Sequence, residues 1–272
     1  LGNRLRALGS AAAVAQATGR ELVVLWTPDH HCDCRLSDLF DTDLPVVEHA
    51  DDLPAPLRQA LRRYNYMEIE PGAQKDEPID TDRDEDILVR SAFVLRHPAS
   101  HWESENRLLQ ALRPGAAVQA LVDSVALPAD CIGAHVRMEA GAGLDHNPWD
   151  SAGNWSAESH AAIHHWRAKS HYSAFIRRID ALLAEGRHHH LFLATDLPEN
   201  YRVFQQVYGD RLRFLPRTLY DRSAEQIRYA LADAILLSRC TWLLGSTWSS
   251  FSELAMRLAT GFEKVEMSGT DF

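Results

Sequence analysis

No apolar run in this 272-residue chain approaches the roughly 20 residues a membrane-spanning helix needs, so a membrane span is not expected. Positive charge is in deficit: 28 Lys and Arg stand against 38 Asp and Glu, a formal net charge of −10. That argues against general nucleic-acid binding and obliges any anionic ligand to find a local cationic site. Cysteine is scarce. Cys32, Cys34, Cys131 and Cys240 do not form the pattern of a disulfide framework, and Cys131 and Cys240, beside apolar runs, read as buried thiols. Leu1 rather than Met opens the sequence, which leaves upstream residues open; the expected location is the cytoplasm. What remains is a globular composition, 46% hydrophobic and 24% charged, in a length that suits one large domain or two ordinary ones.

The most informative stretch is Cys131-Ile132-Gly133-Ala134-His135-Val136-Arg137. It reads as a short buried strand between Pro128-Ala129-Asp130 and Gly141-Ala142-Gly143. His135 and Arg137, two apart, leave the same face at its carboxyl end. Ligands of open α/β sheets bind at that end, and an Arg there offers a planar charged fork suited to phosphate. The plainer alternative is a strand end carrying a surface salt bridge.

In chain order, Asn3 to Thr18 is an Ala-rich helix pattern stopped by Gly19. The helix start at Gly2-Asn3-Arg4 could meet an anion or simply be a cap. Leu22 to Trp26 reads as a buried strand. His30-His31-Cys32-Asp33-Cys34 has metal-ligand chemistry but no second cluster at a known spacing, so it reads as a loop before a short helix, Leu36 to Phe40. Asp41-Thr42-Asp43 and Asp80-Thr81-Asp82 match the Asp-x-Asp triplet of one class of metal-using sugar transferases. A solvated loop is the better reading of both. Ile87-Leu88-Val89 and Phe93-Val94-Leu95 look strand-like, Glu105 to Leu112 helical, and 116 to 127 a connecting helix. A domain boundary is placed there, dividing the chain into 1–127 and 128–272.

Beyond the boundary, Glu139 to Trp166 reads as a long segment rich in Trp149, Trp155, Trp166, His146, His160, His164 and His165. It suits either a sugar or peptide ring face or an insertion covering the sheet. His164-His165 and His188-His189-His190 read as surface residues. His171 to Glu185 is an amphipathic helix, Leu191 to Ala194 a strand ending in Thr195-Asp196, and Pro198 opens a helix. Arg211 to Leu215 is another strand. Ser223 and Gln226 form a capping box for a helix reaching about Arg239. Asp233 borders its apolar stripe, where a carboxylate is costly unless hydrogen-bonded. The strand Thr241 to Gly245 leads into Ser246-Thr247-Trp248-Ser249-Ser250 and a helix near Phe251. These hydroxyls and backbone N–H groups at a strand-to-helix turn exceed what capping needs and suit a phosphate.

Gly2-Asn3-Arg4, His135-Val136-Arg137, Ala194-Thr195-Asp196, Leu231-Ala232-Asp233 and Ser249-Ser250-Phe251 occur in that order. The set resembles the fucosyltransferase superfamily that joins rhizobial Nod-factor α-1,6-fucosyltransferases, core α-1,6-fucosyltransferases and protein O-fucosyltransferases. The resemblance covers most of the chain and is strongest from Cys131 to Phe251. It implies an α/β fold of the GT-B type, two Rossmann-like domains facing across a cleft, residues 1–127 serving the acceptor and 128–272 the donor. It implies an inverting glycosyltransferase that moves a sugar, most often fucose, from a GDP-sugar to a glycan or peptide hydroxyl, with no metal and no cofactor beyond the donor.

The resemblance also assigns roles. Arg137 would bind the donor phosphates, with His135 close to the nucleotide. Asp233 would read guanine, Ser249 and Ser250 would hold phosphate, and Phe251 would lie near the base. Asp196 matches an acid needed for activity, Gly2 and Asn3 a loop approaching the donor, and Tyr172 a phosphate-contacting Tyr. The family places a base eight residues past the central Arg, here Asp145, with Glu139 and Asp150 as rivals. The chain departs from the core-type pattern at Met138, where a second Arg would stand, and in the length of Glu139 to Trp166. Both departures leave acceptor and base open. A nucleotide-sugar-binding pseudoenzyme or lectin-like module on the same fold is the alternative function. A His/Asp metalloenzyme is a third.

Overall fold

The structure is a computed structural model describing residues 1–59, 62–68, 70–138 and 156–272. It divides into two compact units, Leu1–Ala117 with Arg222–Ile227, and Val118–Asp221 with Arg228–Phe272. No helix among the described residues is long and apolar enough to cross a membrane.

The first unit opens with α1 (Gly2–Thr18), which ends at Gly19 in the left-handed conformation, φ 67°. Its buried Leu5, Leu8 and Ala13 turn inward at helical spacing. α1 packs on α3 (Trp102–Ala111) at Gly9, where a Cβ would run into the Glu105 carbonyl. Short strands form three pairs: β1 (Val24–Leu25) parallel to β3 (Val46–Val47), β2 (Phe40–Asp41) antiparallel to β6 (Arg113–Pro114), and β4 (Arg62–Tyr66) parallel to β5 (Ile87–Ser91). The short helix α2 is Ala55–Arg58. Among the described residues this unit has no longer sheet.

One sequence expectation is corrected here, and one strand is new. Phe93 to Leu95 is not a strand. Ser91 Oγ accepts from the Phe93 N–H (2.9 Å) and donates to the Phe93 carbonyl (2.6 Å), while the Leu95 N–H goes to Ser10 Oγ (2.7 Å). Side chains have taken the groups a ladder would use. Conversely, β4 escaped the sequence reading because Arg62, Arg63 and Asn65 mask the alternation of buried Tyr64 and Tyr66.

The second unit carries the open parallel sheet. α4 (Ala116–Asp123) leads in, followed by β7 (Cys131–Val136), α5 (Ala157–Lys169), α6 (Tyr172–Ala184), β8 (His190–Thr195), α7 (Pro198–Tyr208), β9 (Leu212–Arg213), α8 (Ala224–Ser238), β10 (Trp242–Gly245), α9 (Ser250–Leu258) and β11 (Lys264–Met267). The strand order is β11-β10-β7-β8-β9, parallel throughout. The chain therefore builds outward from β7 to β9, then returns through α8 to the other side of β7. The reversal makes the gap between the carboxyl ends of β7 and β10 the topological switch point, where such sheets bind ligands.

β7 is buried throughout, as a central parallel strand covered on both faces must be. Ile132, Ala134 and Val136 join the apolar cluster of Phe175, Ile179 and Leu182 from α6 with Tyr201 and Phe204 from α7. The alternate residues point the other way. Gly133 admits the end of α8 so closely that a Cβ would lie 3.1 Å from both Cys240 Sγ and Leu237 Cδ2.

The last third of the supposed Glu139-to-Trp166 loop is a helix. Ser156 caps α5, accepting from the Ser159 N–H at 3.1 Å, but only Ile163 is buried along it, so no apolar stripe announced it. His188 is not a surface residue. It is 3% exposed, lying between the Asp130 carbonyl, 3.2 Å from Nδ1, and the Trp242 ring. Cys131 and Cys240 are buried free thiols, as are Cys32 and Cys34. Asp41 is exposed, and Asp80 pairs with Arg62.

Gly133→Val should lower the unfolding free energy by about 1–3 kcal/mol through overpacking. A shifted urea midpoint at constant slope would show it; an unchanged midpoint would mean that α8 yields without cost.

Candidate active site at the switch point

Ser246 directly follows β10 and is fully buried. Its Oγ donates to the His135 carbonyl and accepts from the Arg137 N–H, both at 2.8 Å. One side chain thus joins the ends of the two strands that flank the reversal and sets the direction of the backbone at Arg137. The Ser246 N–H in turn donates to Ser252 Oγ at 2.9 Å, which ties the same point to the first turn of α9.

His135 is 5% exposed. Its Nδ1 lies 2.7 Å from Ser252 Oγ, and its ring meets Phe251 at 4.7 Å between centroids. Burial, then the charges of Arg137 and Arg167, push its pKa down to about 3, so the ring is neutral at working pH. Ser252 Oγ receives the Ser246 N–H and has its own hydrogen to give. With that hydrogen given to Nδ1, the proton of the neutral ring sits on Nε2, the tautomer that leaves Nε2 a donor.

Arg137 leaves β7 on the face of Gly133 and His135. The register pairs Val136 with Thr195, so the next residues along, Arg137 and Asp196, stand side by side, and they form an ion pair. Asp196 Oδ1 is buried without a hydrogen-bond partner among the described residues. Thr195 holds the turn beneath: its Oγ1 accepts from Asn200 Nδ2 at 2.9 Å and from the Leu197 N–H at 3.3 Å.

On the β10 side, Ser249 caps α9, its Oγ accepting from the Phe251 N–H at 3.3 Å. Ser250 is the first residue of that helix. Thr247 is pinned to the end of β11, Oγ1 donating to the Ser268 carbonyl at 2.7 Å. The helix N-terminus offers N–H groups and a positive dipole end beside Arg137's strand.

Asp233 lies in a second cluster of the same unit. Residues Leu231 to Leu237 of α8 are all buried, so this half of the helix is enclosed on every side. Arg217 Nη2 meets Asp233 Oδ2 at 2.7 Å, the two side chains 2% and 4% exposed; the guanidinium also lies over the Tyr229 ring at 4.9 Å. Asp233 Oδ1 is buried with no hydrogen-bond partner among the described residues. Burial pushes the carboxyl up to about 6 even though Arg217 pulls it down, because desolvating the carboxylate costs more than the pair returns.

The structure thus gathers His135, Arg137, Asp196 and Phe251 into one connected group, with Ser249 and Ser250 on the adjoining turn. Tyr172 opens α6, its ring half-buried and stacked on His171 at 4.3 Å; it shares no hydrogen bond or ring contact with either cluster among the described residues. Gly2 and Asn3 belong to the first unit, in the opening turn of α1. Glu139, Asp145 and Asp150 lie outside the described residues. Sequence reasoning missed the structural roles of Ser246 and Ser252. It missed Arg217 altogether, since a lone Arg in a loop carries no signal until the fold brings Asp233 to it. Among the described residues, no three of His, Cys, Asp and Glu come together as ligands for a metal ion.

No family model matches the chain, and no curated protein matches it. Solved structures do. Fucosyltransferase NodZ from Bradyrhizobium superposes with a TM-score of 0.61 at 18% identity, over 95% of this chain and 90% of that one. POFUT1 in complex with GDP-fucose superposes with a TM-score of 0.58 at 13% identity, over 99% and 95%. The chain has a fucosyltransferase fold. A NodZ α-1,6-fucosyltransferase soaked with GDP-fucose superposes with a TM-score of 0.59 over 95% of this chain, so the likeness spans both units and not the parallel sheet alone.

Two titrations test this geometry. His135 should stay neutral with its proton on Nε2 from about pH 5 to about pH 9, read from imidazole nitrogen shifts; an imidazolium signal at pH 6 would contradict the burial. The Asp233 carboxyl should titrate near 6, up from 3.8. The folded protein then holds that proton more tightly than the unfolded chain, so this group's contribution to stability falls as pH rises from about 4 to 6 and is level above. Arg217→Gln should move the midpoint higher still, by carboxyl infrared absorption.

Proposed function

We propose that the protein is an inverting glycosyltransferase of the GT-B class that takes a GDP-sugar, with fucose as the sugar, and transfers it to a glycan or peptide hydroxyl. The observation that carries this reading is the placement of Arg137. A permanently charged fork stands at the switch point of a parallel sheet, held by Ser246 and Asp196, beside the capped start of α9. NodZ and POFUT1, whose fold the chain shares, were crystallised with GDP-fucose or GDP.

In this reading the β-phosphate of GDP rests against Arg137 and the turn Ser249-Ser250. Breaking the sugar–phosphate bond leaves negative charge on that phosphate. Some transferases meet the charge with a divalent cation; here the guanidinium and the helix start meet it, so no metal is required. Donors already aimed at developing charge need no reorganisation as the bond breaks. Asp196 orients the fork. His135, neutral with its proton on Nε2, donates a hydrogen bond toward the nucleotide without adding charge.

Asp233 reads the base. Guanine presents N1–H and an N2 amino group side by side, a donor pair that adenine and uracil lack. Asp233 Oδ1 is the oxygen without a partner, and Arg217 keeps Oδ2 occupied. The general base is assigned to one of Asp145, Glu139 and Asp150, with Asp145 first. Gly2, Asn3 and Tyr172 are carried as donor contacts on the resemblance alone. A donor-binding module without transfer would share the nucleotide site, and donor turnover separates the two readings.

GDP should bind well and UDP or ADP poorly, a difference of roughly 2–5 kcal/mol for the lost pair of hydrogen bonds; calorimetry showing UDP equal to GDP would end the base assignment. Arg137→Ala should lower turnover on the order of a hundredfold with the fold intact. Arg137→Lys should remain badly impaired because it keeps the charge and loses the fork. Activity should survive EDTA. Its loss in EDTA with recovery in Mn²⁺, or GDP-fucose left intact with every acceptor in a glycan and peptide panel, would refute the corresponding part of the mechanism.

A further inference from the structure

Trp248 stands in the middle of the switch-point turn and does nothing for the fold that a smaller residue would not do better. Its φ is 59°, and it is the one non-glycine residue with positive φ among those described. A bulky side chain in that region is strained, where Gly or Asn would sit at little cost. The ring is not repaid by packing, since Trp248 is 57% exposed, the most exposed of the large hydrophobic residues described.

The conformation is imposed from both sides. Thr247 is tied to Ser268 through its N–H (3.3 Å) and its hydroxyl (2.7 Å), and Ser249 is committed to capping α9. Two residues back, Ser246 holds the Arg137 N–H. A strained backbone that its neighbours over-determine, with a large aromatic exposed at a ligand crevice, has its use in what the ring meets outside the chain.

We propose that Trp248 is the platform for the donor's sugar ring. The inference rests on the GDP-sugar reading of this site. There the diphosphate occupies Arg137 and the Ser249-Ser250 turn, and the base lies toward Asp233, which has its own aromatic and cationic neighbours in Tyr229 and Arg217. The group attached to the phosphate beside Trp248 is the sugar. A pyranose has one face of C–H groups, and a deoxy sugar adds a methyl; both stack on the negative face of an indole. Trp248 is thereby a binding and specificity residue, favouring sugars with a continuous apolar face over those with axial hydroxyls on it.

The test compares GDP with GDP-fucose by calorimetry on the full chain, in wild type, Trp248→Asn and Trp248→Phe. Asn tolerates the positive φ, so the thermal midpoint should hold or rise and folding is not in question. GDP affinity should stay within about twofold in both variants. GDP-fucose should bind roughly three- to tenfold more weakly to Trp248→Asn, the loss of one ring contact, with part of the loss recovered in Trp248→Phe. Indole fluorescence in wild type should respond to GDP-fucose more than to GDP. Unchanged GDP-fucose affinity in Trp248→Asn overturns the inference while leaving the GDP site standing. A loss of GDP affinity equal to that of GDP-fucose overturns it too, by assigning the ring to the nucleotide. Wild type binding neither compound removes the GDP-sugar reading, and this inference with it.

Discussion

The site depends on how β7 and β10 are held side by side where the sheet reverses. Their pairing ends at Ala134 opposite Leu244, and beyond that point no ladder bond is left to align them. Ser246 supplies the missing connection by bonding the carbonyl of His135 and the N–H of Arg137. The buried hydroxyl both donates and accepts a hydrogen bond, which is what makes a polar group tolerable at zero exposure. From that point Ser252 orients the His135 ring and α9 takes its start. The direction of Arg137 and the position of the anion-facing helix end therefore have a common origin.

The other half of the geometry is electrostatic. A chain with ten more acidic than basic residues places one guanidinium at the sheet's mouth and another, Arg217, deep beside Asp233. Each is next to a carboxylate, but the two pairs differ in setting. The Arg137 and Asp196 side chains are partly exposed, although Asp196 Oδ1 itself is buried. Arg217 and Asp233 are almost wholly enclosed, and there a single unpaired carboxylate oxygen is expensive. An oxygen in that state discriminates sharply between a ligand with a donor to offer and one without.

Much of the second unit was legible because its elements are apolar and their boundaries chemically marked. Pro198 at a helix start, Ser223 before α8, Gly19 after α1 and the uninterrupted run of β7 each say where an element begins or ends. Of the expected capping box only the Ser223 half forms, Oγ accepting from the Gln226 N–H, while Gln226 Oε1 is buried without a hydrogen-bond partner among the described residues. The elements that escaped lacked such marks. Three polar side chains hide β4. α5 buries one residue. β11 is a four-residue edge strand whose Glu266 is buried with its carboxylate bonded by Arg178 and Trp242 and paired with Lys264. Phe93 to Leu95 was overread because local composition cannot reveal that Ser91 and Ser10 will claim the backbone groups.

From the order of residues alone came most of the second unit's strands and helices, the strand ending in His135 and Arg137, the acid on α8 and the hydroxyl-rich turn after β10, because each is a local pattern of polarity and period. What only the tertiary structure decided is which of those hydroxyls are structural and which carboxylates are engaged. Ser246 and Ser252 proved to be internal braces. Asp196 met Arg137 through strand register, Asp233 met Arg217, and Trp248 was left strained and exposed. Those outcomes depend on contacts between residues up to 117 apart in the chain, and no local period records them, since partners that distant become neighbours only when the sheet reverses.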